Sequence, residues 1–297
     1  MNIIFEEISK SVHDNIFSKL GQRSLTVLLV GAGQEKSSSL RETVRKELEN
    51  KKYFTWFDVY YPEDLFEELI SETQFDLLTL ENLLAKDVHT VAIILESSGA
   101  IAELGAFANH KNLCDRLVVI IDKKYRKKKS FIMLGPVRYL QNKTRSIVIF
   151  HNFRDPEINK LGEQIRNAIR KISKDVDVDY SVKNPIAAQH FLLAAIYITG
   201  PVKRDILTSM INSIIRKTNK NIIIVRSSLN ILLRSDEVIF QDGEYMLTRV
   251  GVDRLIKTLK FEPEGYNILN LLDKLRVEVL NRTLRKQRQW QYMERAG

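Results

Sequence analysis

Five short apolar runs, separated by longer mixed segments, constrain the fold of this chain more than any other feature. Apolar runs of this length, bounded by turn residues, are typical of buried strands in a parallel sheet. Their alternation with helical patterns predicts βαβ units. We therefore expect an α/β fold with a doubly wound, mostly parallel sheet. The runs are LTVLLV at 25–30, FTWFDVYY at 54–61, VAIIL at 91–95, LVVII at 117–121 and SIVIF at 146–150.

Polar or glycine residues stand at the carboxyl ends of four of these strands. Ligands of open α/β sheets bind beyond these ends of the strands. The sequence therefore predicts one crevice at this edge of the sheet. Its expected lining is Gly31, Tyr61-Pro62-Glu63-Asp64, Glu96-Ser97-Ser98-Gly99 and Asp122.

The segment from Val91 to His110 combines a buried strand, the polar turn at 96–99 and a helix predicted to begin near Ala100. Glu103 falls in the first turns of that helix, where free backbone N–H groups and the helix dipole favour an ionised carboxylate. The same N–H groups can hold a phosphate or a ribose oxygen. From the residues alone, Glu103 either serves a ligand or only complements the helix dipole.

Composition narrows the class of protein without identifying it. The chain has 297 residues, 44% of them hydrophobic, which suits one large or two modest domains with real cores. It has 46 basic and 37 acidic residues, an excess that permits a nucleic-acid partner but does not require one. The single cysteine, Cys114, excludes an intrachain disulfide and favours a reducing, cytoplasmic location. With no signal-peptide pattern and no apolar stretch of 18 residues, we expect no membrane association.

Common cofactor motifs do not occur in the sequence. Gly31-Ala32-Gly33 follows the first strand, but Lys36 stands where a dinucleotide fingerprint has its third glycine, so a tight turn is the simpler interpretation. There is no Gly-Lys-Ser/Thr phosphate loop. The five histidines lack metal-ligand spacing, which predicts no metal site. The basic run KKYRKKK at 123–129 is either a solvated loop or a contact for phosphate.

The C-terminal part of the chain predicts a separate domain after a polar stretch at 173–185. Its pattern is three helices and a β-hairpin with Asp242-Gly243 in the turn, which indicates a winged-helix domain or a generic helical domain. The helical patterns cover 186–198, 202–216 and 221–233, and a further helix begins at Gly251. A long basic helix follows at 264–295, with Leu269, Leu272, Leu275 and Val279 as its expected packing face.

Six short segments occur in a characteristic order between Tyr61 and Leu140. They are YPEDLF at 61–66, LENLLA at 80–85, ESSG at 96–99, AELGAF at 102–107, SF at 130–131 and GPVR at 135–138. This series resembles the effector proteins of type II retrons, and weaker similarity extends over nearly the whole chain. That family pairs a nucleoside deoxyribosyltransferase-like N-glycosidase domain with a winged-helix DNA-binding domain.

The resemblance implies an organisation and a role for the chain. It implies a toxic effector of anti-phage defence, controlled by a retron reverse transcriptase and by multicopy single-stranded DNA, a branched RNA–DNA molecule. No cofactor is implied; NAD is expected as the substrate, and higher-order assembly is left open. The implied parts are a nucleoside deoxyribosyltransferase-like domain at 1–175, an α+β winged-helix DNA-binding domain at 186–262 and a basic C-terminal helix at 263–297.

The catalytic glutamate of the family lies in the Glu-Leu-Gly-Ala-Phe motif, which makes Glu103 the expected catalytic residue here. A carboxylate suits this role because cleavage of a C1′–N bond builds positive charge on the ribose, which a carboxylate stabilises or captures. The expected substrate-binding residues are Gly31, Gly33, Tyr61, Glu63, Asp64, Glu81, Glu96, Ser97, Ser98 and Gly99. The expected contacts to the DNA backbone are Lys203, Arg204, Arg216, Lys217, Arg226, Arg234 and Arg249.

Two other functions stay open from the sequence. One is an enzyme that removes the base from nucleosides or nucleotides, by hydrolysis or by deoxyribosyl transfer. The other is a non-enzymatic, DNA-binding regulator whose N-terminal fold only senses a nucleotide.

Overall fold

A computed structural model describes residues 2–19, 24–32, 39–50, 56–63, 87–155, 158–260 and 265–296. The chain divides into two compact units, one formed by residues 22–179 and the other by residues 1–21 and 180–297. The division at 179 lies inside the polar stretch 173–185. The sequence predicted one domain over 1–175, but the structure groups residues 1–21 with the second unit.

The first unit contains a five-stranded sheet in the order β2-β1-β3-β4-β5, with every neighbouring pair parallel. The expected α/β class and parallel sheet are therefore confirmed. The order reverses between β1 and β3, which is the kind of switch point where ligands of such sheets bind. The strands are β1 (Ser24–Val30), β2 (Trp56–Tyr60), β3 (Thr90–Ile94), β4 (Leu117–Asp122) and β5 (Ile147–His151).

The central strands are buried on both faces, which explains their nearly continuous apolar sequences. Alternate residues such as Leu29 and Ile94 share a core cluster with residues of α2 (Leu40–Leu48) and α5 (Ile158–Ser173). Their neighbours, such as Leu28 and Ile93, point to the opposite face and are fully buried as well. The remaining described helices of this unit are α3 (Ser98–Ala108), a 3₁₀ helix at Lys123–Tyr125, a π-helix at Met133–Val137 and α4 (Arg138–Lys143).

His89 connects the amino end of β3 to β1. Its Nδ1 accepts a hydrogen bond from the Thr26 backbone N–H at 3.0 Å and lies 2.9 Å from Thr26 Oγ1. Burial lowers the pKa of this imidazole, the Arg116 charge lowers it further, and Asp177 opposes the shift. A protonated ring cannot accept at Nδ1. The native state therefore favours neutral His89.

We expect the free energy of unfolding to fall as the pH decreases below about 6.5, the ordinary value for histidine, because the unfolded chain then binds a proton that native His89 resists. A single such group contributes at most about 1.4 kcal/mol per pH unit. Urea unfolding of the wild type and His89→Asn between pH 7.5 and 5 measures the effect, and the variant should show the flatter pH dependence. His13→Asn, at the surface of the other unit, is the control. Equal pH dependence in wild type and His89→Asn would contradict this role.

The second unit is mainly helical and includes the N-terminal helix α1 (Asn2–Asn15). Ile8 and Val12 of α1 are buried in the same apolar cluster as Leu207 and Met210 of this unit. This burial explains why residues 1–21 belong here and not with the sheet. The other helices are α6 (Pro185–Thr199), α7 (Arg204–Ile214), α8 (Lys220–Arg234), α9 (Arg249–Lys260) and α10 (Gly265–Ala296).

The predicted hairpin is present as the antiparallel pair β6 (Val238–Gln241) and β7 (Glu244–Leu247). Asp242 and Gly243 both have positive φ, 53° and 80°, as a two-residue hairpin turn of this type requires. The long C-terminal helix α10 buries Ile268, Leu272 and Val279 in the core of the unit, close to its predicted packing face. Within the described part of the chain, no helix is both long and apolar enough to cross a membrane.

Candidate functional site

The carboxyl edge of the sheet gathers charged side chains from neighbouring strands. Asp122 is paired in register with His151, and Ile94 is paired with Ile120, two residues before Asp122. Glu96 follows Ile94 by two residues, but its N–H donates back to the Ile94 carbonyl oxygen at 2.9 Å, so the chain leaves the strand there. Ile94, Ile120 and Asp122 form one row of side chains, with neighbouring strands about 4.8 Å apart. This row lies on the sheet face that carries α2 and α5.

Arg41, which the sequence did not single out, is the centre of this edge. It is only 2% exposed, forms an ion pair with Glu63 and stacks over the Tyr61 ring at 4.3 Å. Its backbone N–H also donates to the Glu96 carboxyl group. Arg41 thereby connects the ends of β2 and β3 through α2. No local pattern marks this arginine, because its partners come from distant parts of the chain.

Gly31 provides the space that this arrangement needs. A Cβ at this position would lie 3.2 Å from Arg41 Cδ and 3.4 Å from Glu96 Oε1. The Arg41 side chain would have to shift by a few tenths of an ångström, while the contact with Glu96 would be at the limit of ordinary van der Waals distance. Gly31 therefore contributes space to the site, because the absence of a side chain lets Arg41 and Glu96 approach the end of β1.

Glu96 is partly exposed, yet the pKa of its carboxyl group is raised. Burial raises the pKa of Glu96, while the Ala32 N–H, the Arg41 charge and the Arg41 N–H oppose the shift. The carboxyl group thus lies within hydrogen-bonding reach of two backbone donors, Ala32 just after β1 and Arg41 in the first turn of α2. A carboxylate held in this position can orient a ligand that binds at the carboxyl edge of the sheet.

Tyr61 is a structural member of the edge, in contrast to the expected substrate contact. It is 1% exposed, and its hydroxyl donates to Glu42 Oε2 at 2.8 Å. Burial and this hydrogen bond raise the pKa of Tyr61, so it stays protonated at neutral pH. Arg45 also stacks on the ring, at 4.8 Å. The buried ring serves as a platform for the two arginines.

The helix α3 begins directly after β3 and presents its N-terminus at the same edge. Ser97 is the N-cap, and its Oγ accepts from the Ala100 N–H at 3.2 Å. The N–H groups of Ser98 and Gly99 lie in the first turn of the helix, where no intrahelical carbonyl accepts from them, and both residues are exposed. They are therefore the donors placed to meet a phosphate or ribose oxygen.

Glu103 lies farther along α3 than the sequence suggested. The helix begins at Ser98, not near Ala100, so Glu103 is its sixth residue and stands beyond the first turn. Helix-dipole effects decline within the first turn, so the free N–H groups do not account for an ionised Glu103. Glu103 is half-buried, and its Oε2 atom is shielded from solvent.

Asp122 and Lys124 form a second charged group at the end of β4. The Asp122 carboxylate accepts from the Lys124 backbone N–H at 3.1 Å and pairs with its Nζ at 2.9 Å. Burial opposes ionisation of Asp122, but the hydrogen bonds and charge of Lys124, with Arg154, hold its pKa below the usual value. Asp122 is therefore ionised and already paired within its own loop.

Three expected substrate-binding residues, Gly33, Asp64 and Glu81, lie outside the residues that the structure describes. Of the expected set, the structure brings Gly31, Glu63 and Glu96 together around Arg41. The described residues contain no group of three or more His, Cys, Asp or Glu side chains suited to a metal ion.

The expected DNA contacts of the second unit differ in exposure. Five are exposed: Lys203, Arg216, Lys217, Arg234 and Arg249. Arg204 and Arg226 are half-buried. Most of α8 is buried, including Ser227, Ser228 and Asn230. This helix therefore offers no continuous polar face for a DNA groove, and the exposed cations lie near helix ends.

Replacing Arg41 with Ala should lower the free energy of unfolding by about 2 to 3 kcal/mol, less than a fully buried pair because Glu63 is 37% exposed. Urea denaturation measures the change as a lower midpoint with an unchanged slope. Arg45→Ala is the matched control on the same helix and ring, and we expect it to cost no more than about 1 kcal/mol. Equal losses in the two variants would contradict the central position of Arg41.

One family model and two proteins from Escherichia coli are similar in sequence to this chain. A family model described as "STM3845 retron effector protein" matches residues 37–239, more than half of the chain. The predicted ribosyltransferase/DNA-binding protein of retron Ec86 from Escherichia coli is 30% identical over 281 residues, covering 90% of this chain and 88% of that protein. The protein of the same description from retron Ec73 of Escherichia coli is 25% identical over 205 residues, covering 61% of this chain and 65% of that protein.

Proposed function

Because this chain belongs to the STM3845 retron effector family, we propose that it is a toxic effector of retron anti-phage defence that cleaves an N-glycosidic bond. The observation that carries the proposal is the strand–turn–helix unit of β3 and α3. The exposed N–H groups and the half-buried Glu103 lie on α3, which directly follows β3. Glu96 comes between β3 and α3, and Arg41 of α2 connects it to Glu63 after β2. The names of both relatives include ribosyltransferase, which agrees with chemistry at a ribose.

In the proposed reaction NAD is the substrate. The bond between ribose C1′ and the nicotinamide nitrogen breaks, and nicotinamide leaves as a neutral base with the electron pair. The Glu103 carboxylate stabilises the developing cation or forms an ester with C1′. Water then attacks C1′, releases Glu103 and loses one proton, which gives ADP-ribose. The Ser98 and Gly99 N–H groups would hold phosphate or ribose oxygens.

The two units take separate parts in the proposal. The first unit, which contains the five-stranded parallel sheet, would be the nucleoside deoxyribosyltransferase-like domain. The second unit, which contains helices and the β6–β7 hairpin, would be the winged-helix domain. We assign to the second unit the contacts with retron DNA and with the reverse transcriptase. These contacts would control the toxic activity. Since α8 is largely buried, the exposed cations Lys203, Lys217 and Arg249 would meet DNA phosphates instead of a groove-reading helix face.

The proposal is tested by expressing the chain with its reverse transcriptase and retron RNA and incubating the complex with NAD. Chromatography should show nicotinamide and ADP-ribose in equal amounts. The same assay with nucleosides and nucleotides tests the alternative of base removal or deoxyribosyl transfer. Turnover of none of these substrates, by the complex or by the chain released from it, would favour the non-enzymatic DNA-binding regulator.

A further inference from the structure

One stretch of the first unit carries positive charge only. Between Lys123 and Phe150 there are nine basic residues and no acidic residue. The whole chain has a net charge of +9, so the rest of the sequence carries equal numbers of acidic and basic residues. The remainder of residues 22–179 has 16 basic and 23 acidic residues, so this stretch is the positively charged part of the first unit. The second unit has a positive excess of its own, with 21 basic and 14 acidic residues.

The charges at its start are accessible. Residues 123–131 are all exposed, and they directly follow the carboxyl end of β4. Within the stretch, Lys124 and Arg145 form ion pairs with described carboxylates, namely Asp122 and Asp175. Among the described residues, no carboxylate neutralises the triad Lys127, Lys128 and Lys129. A surface that carries only positive charges attracts anions.

Aromatic side chains accompany these cations. The Nζ atoms of Lys124 and Lys128 lie 4.9 and 5.0 Å from the centre of the Tyr125 ring. Phe131 is 85% exposed, so nearly the whole ring is accessible to a ligand. The Phe131 ring lies beside the backbone of Gly135, where a Cβ would make an ordinary van der Waals contact with it at 3.6 Å. Gly135 belongs to the π-helix, an irregularity that is frequent at functional sites.

We propose that residues 123–139 form a binding surface for single-stranded nucleic acid. Lys127, Lys128, Lys129 and Arg138 would contact phosphates, and Phe131 would stack on an unpaired base. An exposed ring beside a cationic track is the arrangement by which proteins hold single strands, because every unpaired base offers a face for stacking. Duplex DNA keeps its bases stacked and would leave Phe131 without a partner. This surface is independent of the DNA contacts proposed for the second unit.

The test measures fluorescence anisotropy of a labelled 20-nucleotide single-stranded DNA with the full chain between 50 and 300 mM KCl. The variant K127Q/K128Q/K129Q should bind at least about 10-fold more weakly at low salt, with the slope of log K against log salt reduced by about 2. Phe131→Ala should lose about 5- to 150-fold in affinity with an unchanged salt slope. The exposed positions make folded variants the expected result, which circular dichroism checks.

Two further variants show which surface of the protein accounts for any loss of DNA binding. K160Q/K171Q/K174Q removes the same charge from exposed sites of the same unit and should keep the affinity within about 2-fold of wild type. K203Q/K217Q/R249Q tests the second unit. Loss of binding in that variant, with wild-type binding in K127Q/K128Q/K129Q, would overturn the inference while supporting the second-unit contacts. Binding of anionic phosphatidylserine vesicles without binding of the oligonucleotide would overturn it in favour of a membrane surface.

Discussion

Glu103→Gln is expected to lower the rate of N-glycosidic cleavage by at least about 10³-fold. Glutamine has nearly the same shape as glutamate but carries no charge and cannot form an ester with ribose C1′. The stabilisation of the oxocarbenium-like transition state is therefore lost, while packing around the half-buried side chain is kept. Nicotinamide release from NAD by the wild-type and variant complexes, at equal protein concentration, measures the change. Substrate binding should be affected far less than turnover.

A matched substitution separates chemistry from folding. Glu163 is exposed on α5 of the same unit, and Glu163→Gln removes the same charge without touching the sheet edge. We expect that variant to retain wild-type turnover, and both variants to unfold at the wild-type urea midpoint. If Glu103→Gln releases nicotinamide as fast as the wild type, Glu103 is not the catalytic residue. If cells expressing it without the other retron components are still poisoned, toxicity does not depend on this chemistry.

Arg166→Met is expected to destabilise the first unit by about 3 to 5 kcal/mol. Arg166 is 3% exposed, and its Nη1 donates to Glu47 Oε1 at 2.8 Å and to the Glu47 carbonyl oxygen at 3.1 Å. These bonds join α5 to α2, the helix that carries Arg41. Removing the arginine leaves the Glu47 carboxylate without this partner in a site where it is only 10% exposed. Urea unfolding followed by circular dichroism measures the loss.

The double variant Glu47→Leu with Arg166→Met tests the physical cause. It removes both charges together, so no buried charge is left unpaired, and we expect it to recover most of the lost stability. The surface pair Arg145–Asp175 is the control, because its side chains are 60% and 64% exposed. Arg145→Met should cost less than about 1 kcal/mol. A loss below about 1 kcal/mol for Arg166→Met as well would show that the buried pair does not hold the two helices together.

The strands and the hairpin could be predicted from the sequence because local patterns specify them. Short runs rich in Val and Ile, such as VAIIL and LVVII, favour buried strands, and each of the five apolar runs overlaps one strand of the sheet. Asp242-Gly243 adopts the positive φ values that its residue types permit at little cost. These features depend on backbone sterics and on the spacing of apolar residues, which the sequence displays directly.

The site depended on contacts that no local pattern displays. Arg41 meets Glu63, Glu96 and the space at Gly31 only after three strands and a helix are assembled. The start of α3 was predicted near Ala100, but capping by Ser97 moves it to Ser98 and places Glu103 two residues farther along the helix. Residues 1–21 join the second unit because the apolar stripe of α1 is buried there. The sequence by itself determined which segments are strands and helices, since short-range sterics and periodicity decide that. Only the tertiary structure decided which side chains meet, since burial and charge pairing depend on residues that are far apart in the chain.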